Sequence, residues 1–158
     1  MTDFERELVK AFNRYFDDSG LEGIAYRRKQ HRFSSQFLDI LVDSPYDDYY
    51  LGVENKSLKT SKNNTLYFSQ HFSEANDRHQ VERITEFLNR SGRKGFLAVE
   101  LKRGRGKARK AYLVPWEVVD RKYETGAVGL PIDTIQDFPQ IERDGAEYDV
   151  NNALELAT

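Results

Sequence analysis

The chain has 158 residues, of which 39% are hydrophobic and 13% aromatic, a composition that suits one folded domain and argues against disorder. It contains no cysteine, so disulfides and thiolate metal sites are excluded, and no apolar run approaches the roughly 20 residues of a membrane helix. The net charge of −2 hides an asymmetry: residues 121–158 carry eight acids against three bases, whereas residues 1–120 carry 21 bases against 18 acids. The body is therefore mildly basic. The start, MTDFERELVK, is charged from its third residue and does not read as a signal peptide, so a cytoplasmic location is expected.

In chain order, residues 3–16 place Phe4, Leu8, Ala11, Phe12 and Tyr15 at spacings of three and four. That pattern predicts an amphipathic helix, capped by Thr2 or Asp3 and ended at Gly20. Residues 23–30 read as a short strand. Residues 36–43 (QFLDILVD) and 49–56 (YYLGVENK) read as two strands around the turn cluster Ser44-Pro45-Tyr46-Asp47-Asp48, hence a hairpin. Residues 57–66 read as a polar loop. Residues 74–90 set Val81, Ile84, Phe87 and Leu88 on one helical face, with Gly92 as the stop signal. Residues 95–101 (GFLAVEL) suit a central strand. The stretch Lys102 to Lys110 is a basic loop broken by glycines, and residues 111–116 (AYLVPW) form the last strand, ending at Pro115. Signals weaken beyond Arg121. The expected fold is α/β, a mixed β-sheet flanked by helices. The piece from Tyr49 to Leu101 is a right-handed crossover if its strands lie parallel.

Asp39 lies on the first arm of the hairpin, with Glu54 and Lys56 on the second. Residues two apart in a strand face the same side, so Glu54 and Lys56 project together and Asn55 faces away. Closing the hairpin brings Asp39 beside Glu54. Two adjacent carboxylates repel unless a cation sits with them, and a hard divalent ion that keeps water and phosphate positions open suits such a pair. The bland alternative is a surface salt bridge between Glu54 and Lys56. Glu100-Leu101-Lys102 is a rival of the same spelling, without an acid on a neighbouring hairpin arm.

Asp39 followed by Glu54-Asn55-Lys56 on the next strand resembles the PD-(D/E)xK nuclease superfamily. FERELVKAF resembles the first helix of archaeal Holliday junction resolvases (Hjc-type), where an acid joins the metal site. By that resemblance Glu5 is the better candidate and Glu7 the second. Residues 56–83 resemble the RecU-type junction resolvases: Lys56, then Asn63-Asn64-Thr65, then Leu66-Tyr67-Phe68, then His79-Gln80 opening a helix. The resemblance covers roughly residues 3–116. Leu38 stands where the proline of the motif's name would be, Asn55 where an apolar or small residue is usual, and the long RecU-type insertion between early strands is missing.

The resemblance implies a restriction-endonuclease-like core, with a nuclease domain over 1–120 and an acidic extension over 121–158 packed on the same domain. It implies a metal-dependent endodeoxyribonuclease for branched DNA, most specifically a Holliday junction resolvase. Asp39, Glu54 and Glu5 would bind Mg2+, with Mn2+ able to substitute. Lys56 would position the nucleophile, and Gln80 would be a polar contact in the active site. His79 is expected to be structural, and His31 and His71 loop or surface residues. Tyr67, Phe68 and Phe72 are expected in packing rather than as wedges between bases. Arg27, Arg28, Lys29, Arg32, Ser34, Ser35, Lys62, Lys102, Arg103, Arg105, Lys107, Arg109 and Lys110 are the candidate DNA contacts, through charge and forked hydrogen bonds to phosphate. A symmetric junction needs two cuts, so a homodimer is expected. Two alternatives remain: a restriction-like or repair nuclease acting on duplex or flap DNA, and a non-catalytic nucleic-acid-binding module.

Overall fold

The computed structural model describes residues 2–27, 38–75 and 77–157. The elements in order are α1 (Asp3–Ser19), β1 (Ile24–Arg27), β2 (Ile40–Asp43), β3 (Leu51–Lys59), β4 (Thr65–Tyr67), α2 (Phe68–His71), β5 (Glu74–Ala75), β6 (Arg78–His79), α3 (Gln80–Ser91), β7 (Lys94–Lys102), β8 (Lys110–Pro115), α4 (Trp116–Glu124), β9 (Gly129–Pro131), α5 (Ile132–Ile135), β10 (Gln140–Asp144), β11 (Glu147–Asp149) and α6 (Asn151–Ala157), with a 3-10 turn at Asp47–Tyr49. Among the described residues, seven strands form one sheet in the order β1-β2-β3-β7-β8-β10-β11. Only β3 and β7 run parallel within it; the other neighbours are antiparallel. The fold is therefore α/β with a mixed sheet.

Both faces of the sheet are covered, which explains why GFLAVEL reads as a continuous apolar run rather than an alternation. One face packs Val42, Leu51, Val53, Phe96, Ala98 and Leu113 beneath α1 and α6. The other packs Leu41, Leu58, Leu97, Val99 and Val114 beneath α3 and α4. Helix α1 buries Phe4, Leu8, Ala11, Phe12 and Tyr15, the stripe set by its sequence spacing. Thr2 caps it by accepting from the Glu5 N–H at 3.2 Å, and Gly20 closes it in the left-handed region at φ 73°.

The β2–β3 hairpin is held at its turn end by Arg93. Its Nη1 donates to the carbonyls of Val42 and Leu51, both at 3.1 Å, and its Nη2 lies 2.8 Å from Asp43 Oδ1. The register pairs Ile40 with Val53 and Leu41 with Gly52. A slip of one residue would turn every side chain of β2 to the opposite face.

Several expectations change. Strand β3 continues to Lys59, because β7 gives Ser57, Leu58 and Lys59 a parallel partner at Glu100, Leu101 and Lys102. The loop of 57–66 thus shrinks to 60–64, and β4 begins at Thr65. The helix expected over 74–90 begins only at Gln80. His79 caps it, its Nδ1 accepting from Val81 N–H at 3.1 Å while Glu82 accepts from the His79 N–H at 3.1 Å. Glu74–Ala75 and Arg78–His79 instead pair antiparallel as β5 and β6. The 111–116 strand is not the last, and Trp116 opens α4 rather than ending β8. From residue 121 onward the chain supplies β9, which pairs with β4, and β10 and β11, which widen the sheet beyond β8.

The β4–β9 ladder seats α2 and the segment after it. A Cβ on Gly129 would overlap the carbonyl of Leu66 across that ladder. Gly129→Ala is expected to cost about 1–3 kcal/mol, read as a lower midpoint in urea unfolding with an unchanged slope. An unchanged midpoint would show that the ladder yields freely.

Candidate functional site

A cavity of about 700 Å³ opens where the N-terminus of α1, the β2–β3 ladder, α2 and the start of α3 meet. Its lining includes Glu5, Asp39, Glu54, Lys56, His71 and Gln80. Asp39 occupies the bend just before β2, and the hairpin register continued by one step sets it opposite Glu54. Its Oδ2 accepts the Asn55 N–H at 2.9 Å, taking the place of a ladder bond and fixing the carboxylate at the sheet end.

Glu54 is 3% exposed. Its Oε2 accepts from Gln80 Nε2 at 2.8 Å and lies 3.2 Å from Lys56 Nζ. Among the described residues its buried Oε1 has no hydrogen-bond donor. Burial first, and then the charge of Asp39, push the Glu54 carboxyl up to about 8, against the opposing pull of Lys56. Lys56 also donates to Gln80 Oε1 at 3.3 Å, and its ammonium sits 4.6 Å from the centre of the Phe72 ring. Gln80 Oε1 further accepts from the Ser73 N–H at 3.1 Å. Gln80 therefore ties α3, β3 and the segment after α2 into one network.

Glu5 is buried at the open end of α1 and lies 3.1 Å from Arg27 Nε. Burial and the charge of Asp39 raise its pKa, with Arg27 opposing. Glu7, the second candidate on this helix, pairs instead with Arg143 at 3.0 Å. His79 serves as the α3 cap and its Nε2 lies 2.8 Å from the Phe68 carbonyl. Phe68 and Phe72 are buried in packing. The rival Glu100 is fully buried on the opposite face, where Tyr148 Oη donates to it at 2.7 Å.

Of the candidate DNA contacts, Arg28, Lys29, Arg32, Ser34 and Ser35, like His31, lie outside the described residues. Lys102 ends β7 and Lys110 opens β8; Arg103, Arg105, Lys107 and Arg109 fill the loop between, which turns at Gly104 and Gly106 in positive φ. Arg103 donates to the Ala108 carbonyl at 2.8 Å, and Arg109 reaches to 3.7 Å from Glu100. Lys62 is exposed beyond the end of β3. None of the described bases among them lines the cavity; they flank the sheet end toward which β3 runs past Lys56.

Sequence reasoning missed His71, Ser73, Asn55 and Arg83 as lining residues. His71 was expected on a loop or the surface. It ends α2, and its Nδ1 accepts the Tyr67 N–H at 2.8 Å. Burial, aided by the charge of Lys56, lowers its pKa and favours the neutral ring. Arg83 follows Gln80 by three residues, a spacing that shares a helix face and was the available signal.

Among the described residues no group of three or more His, Cys, Asp or Glu side chains forms a ready metal cage. What the cleft offers is a carboxylate pair with Glu5 close to Asp39, a donor set that suits an ion keeping most of its positions for water and phosphate. No helix among the described residues is long and apolar enough to cross a membrane.

No protein-family profile matches the chain, and no curated protein matches it. Among solved structures it is similar to a Holliday junction resolvase of the archaeal hyperthermophile Archaeoglobus fulgidus, with 16% sequence identity and a TM-score of 0.48, over 84% of this chain and 94% of that one.

The raised Glu54 carboxyl carries a pH signature. A carboxyl protonated up to about 8 when folded, against 4.5 ordinarily, contributes stability that is full below about pH 4.5 and is lost as pH rises through about 8. In EDTA, Tm of the wild type is expected to fall between pH 5 and pH 9 by more than that of Glu54→Gln. Parallel curves would contradict this.

Proposed function

We propose that this chain is a Mg2+-dependent endodeoxyribonuclease with a restriction-endonuclease-like core of the PD-(D/E)xK kind, cutting branched DNA and above all four-way junctions in recombination or repair. The observation that carries the reading is the convergence of Asp39, Glu54 and Lys56 in one open cleft, with Glu54 buried and its Oε1 unpartnered. A salt bridge made only for stability has no need of a second acid pressed against it.

Asp39 and Glu54 would hold the ion, with Glu5 assisting, and Mn2+ would substitute. Bound there, such an ion supplies polarisation of the phosphodiester and a more acidic water. The protein's own residues do the rest. Gln80 fixes Glu54 through its amide and orients Lys56 through its carbonyl. The Lys56 ammonium has a third N–H for the attacking water or for the charge that builds on phosphorus. The loop from Lys102 to Lys110, together with Lys62 and Arg27, would grip the DNA backbone, each phosphate neutralised adding to the salt dependence. Two symmetric cuts on a junction call for a homodimer.

A labelled synthetic four-way junction and its matched linear duplex, incubated with Mg2+ or EDTA, test this reading. Paired nicks on the junction are expected with Mg2+ alone. Asp39→Asn and Lys56→Met should each lower the rate by at least about 100-fold. Equal cutting of both substrates would remove the junction and leave a duplex nuclease. Binding without cutting in any divalent metal would overturn the enzyme.

A further inference from the structure

We infer that Arg83 is the anchor of a phosphate subsite in the cleft, taking a phosphodiester of the DNA strand. Arg83 lines the cavity yet is only 7% exposed. Among the described residues no carboxylate pairs with it, although Glu5, Asp39 and Glu54 line the same cavity. Its protein partner is neutral: Nη2 donates to Ser73 Oγ at 3.2 Å. Its buried Nε has no hydrogen-bond partner among the described residues.

A guanidinium stripped of water ordinarily needs a carboxylate or several acceptors. Arg83 also stands near the start of α3, where the helix dipole disfavours a cation. The arrangement is costly as it stands and becomes favourable when an anion enters. The planar fork of arginine fits two oxygens of one phosphate. Ser73 ties this fork to the catalytic network, since its N–H and Oγ both face Gln80 Oε1, at 3.1 and 3.5 Å. A phosphate on Arg83 would thus be registered against Glu54 and Lys56 through Ser73 and Gln80. That the phosphate comes from DNA rests on the nuclease reading; that Arg83 binds a phosphate does not.

The test uses wild type, Arg83→Gln and Arg83→Met, all in EDTA. Tm is measured with inorganic phosphate and with chloride at equal ionic strength, and junction DNA binding is measured by fluorescence anisotropy. Phosphate is expected to raise Tm of the wild type and of neither variant. Without phosphate both variants should melt no lower than wild type, because an unpaired buried charge has been removed. DNA affinity should fall by roughly tenfold or more, the usual worth of a hydrogen-bonded charge. An equal response to phosphate in all three proteins, no response in the wild type, or unfolding of both variants would overturn the proposal. On the proposed metal dependence no cutting is expected in EDTA, so these outcomes are separate from those of the cleavage assay.

Discussion

Asp39, in the bend before β2, faces the buried Glu54 of β3, and the side chains around them are arranged against their repulsion. Lys56 supplies one positive charge from two residues along the same strand. Gln80 supplies a neutral amide that donates to Glu54 and accepts from Lys56. The Asn55 N–H steadies Asp39. These partners reduce the cost without removing it: Glu54 still keeps an unpartnered oxygen and an elevated proton affinity. On the proposed reading, a cation would supply the positive charge that this pair lacks.

The fold serves that pair through register and rigidity. Arg93 clamps the turn end of the hairpin, the parallel β3–β7 ladder of nine residue pairs stiffens the strand bearing Glu54 and Lys56, and the His79 cap fixes where Gln80 leaves the backbone. The β4–β9 ladder, built partly from the C-terminal third of the chain, holds the wall that carries His71, Phe72 and Ser73. Among the described residues most of the buried unsatisfied atoms, on Glu5, Glu54, Asn55 and Arg83, lie at the cleft; the others, on Asp43 and Arg93, belong to the clamp at the hairpin turn. Such local violations of packing and pairing rules are expected where function, rather than stability, has set the residues.

Much of this was legible because it is local. Period two along YYLGVENK separates Glu54 and Lys56 from Asn55, and the turn cluster around Pro45 forces Asp39 back toward them. The stripe from Phe4 to Tyr15 yields α1 with Glu5 at its open end. Other features depend on partners distant in sequence. Ser57 and Lys59 look like loop residues until β7 pairs with them. β10 alternates in burial, but four of its five residues are polar or charged and only Ile141 signals a core face, and β11 has only three residues, too short for a pattern. Helix α3 starts later than its apolar spacing suggests because Glu74–Ala75 pairs with Arg78–His79 ahead of it, and because histidine is an uncommon cap, here completed by Glu82. Ser73 and Arg83 escaped notice because nothing local shows that α2 folds back onto α3. The roles assigned to Asp39, Glu54, Lys56 and Glu5 rest on their meeting in space, which the hairpin and α1 together bring about.

The central claim is that the Asp39–Glu54 pair is a divalent cation site. Titration calorimetry of Mn2+ into the wild type and Asp39→Asn, at pH 8 and moderate salt, tests it most directly. The account predicts a saturable binding event in the wild type that weakens at least about tenfold in the variant, as expected when one of two carboxylate ligands is lost. No binding in the wild type, or equal affinity in both proteins, would contradict it.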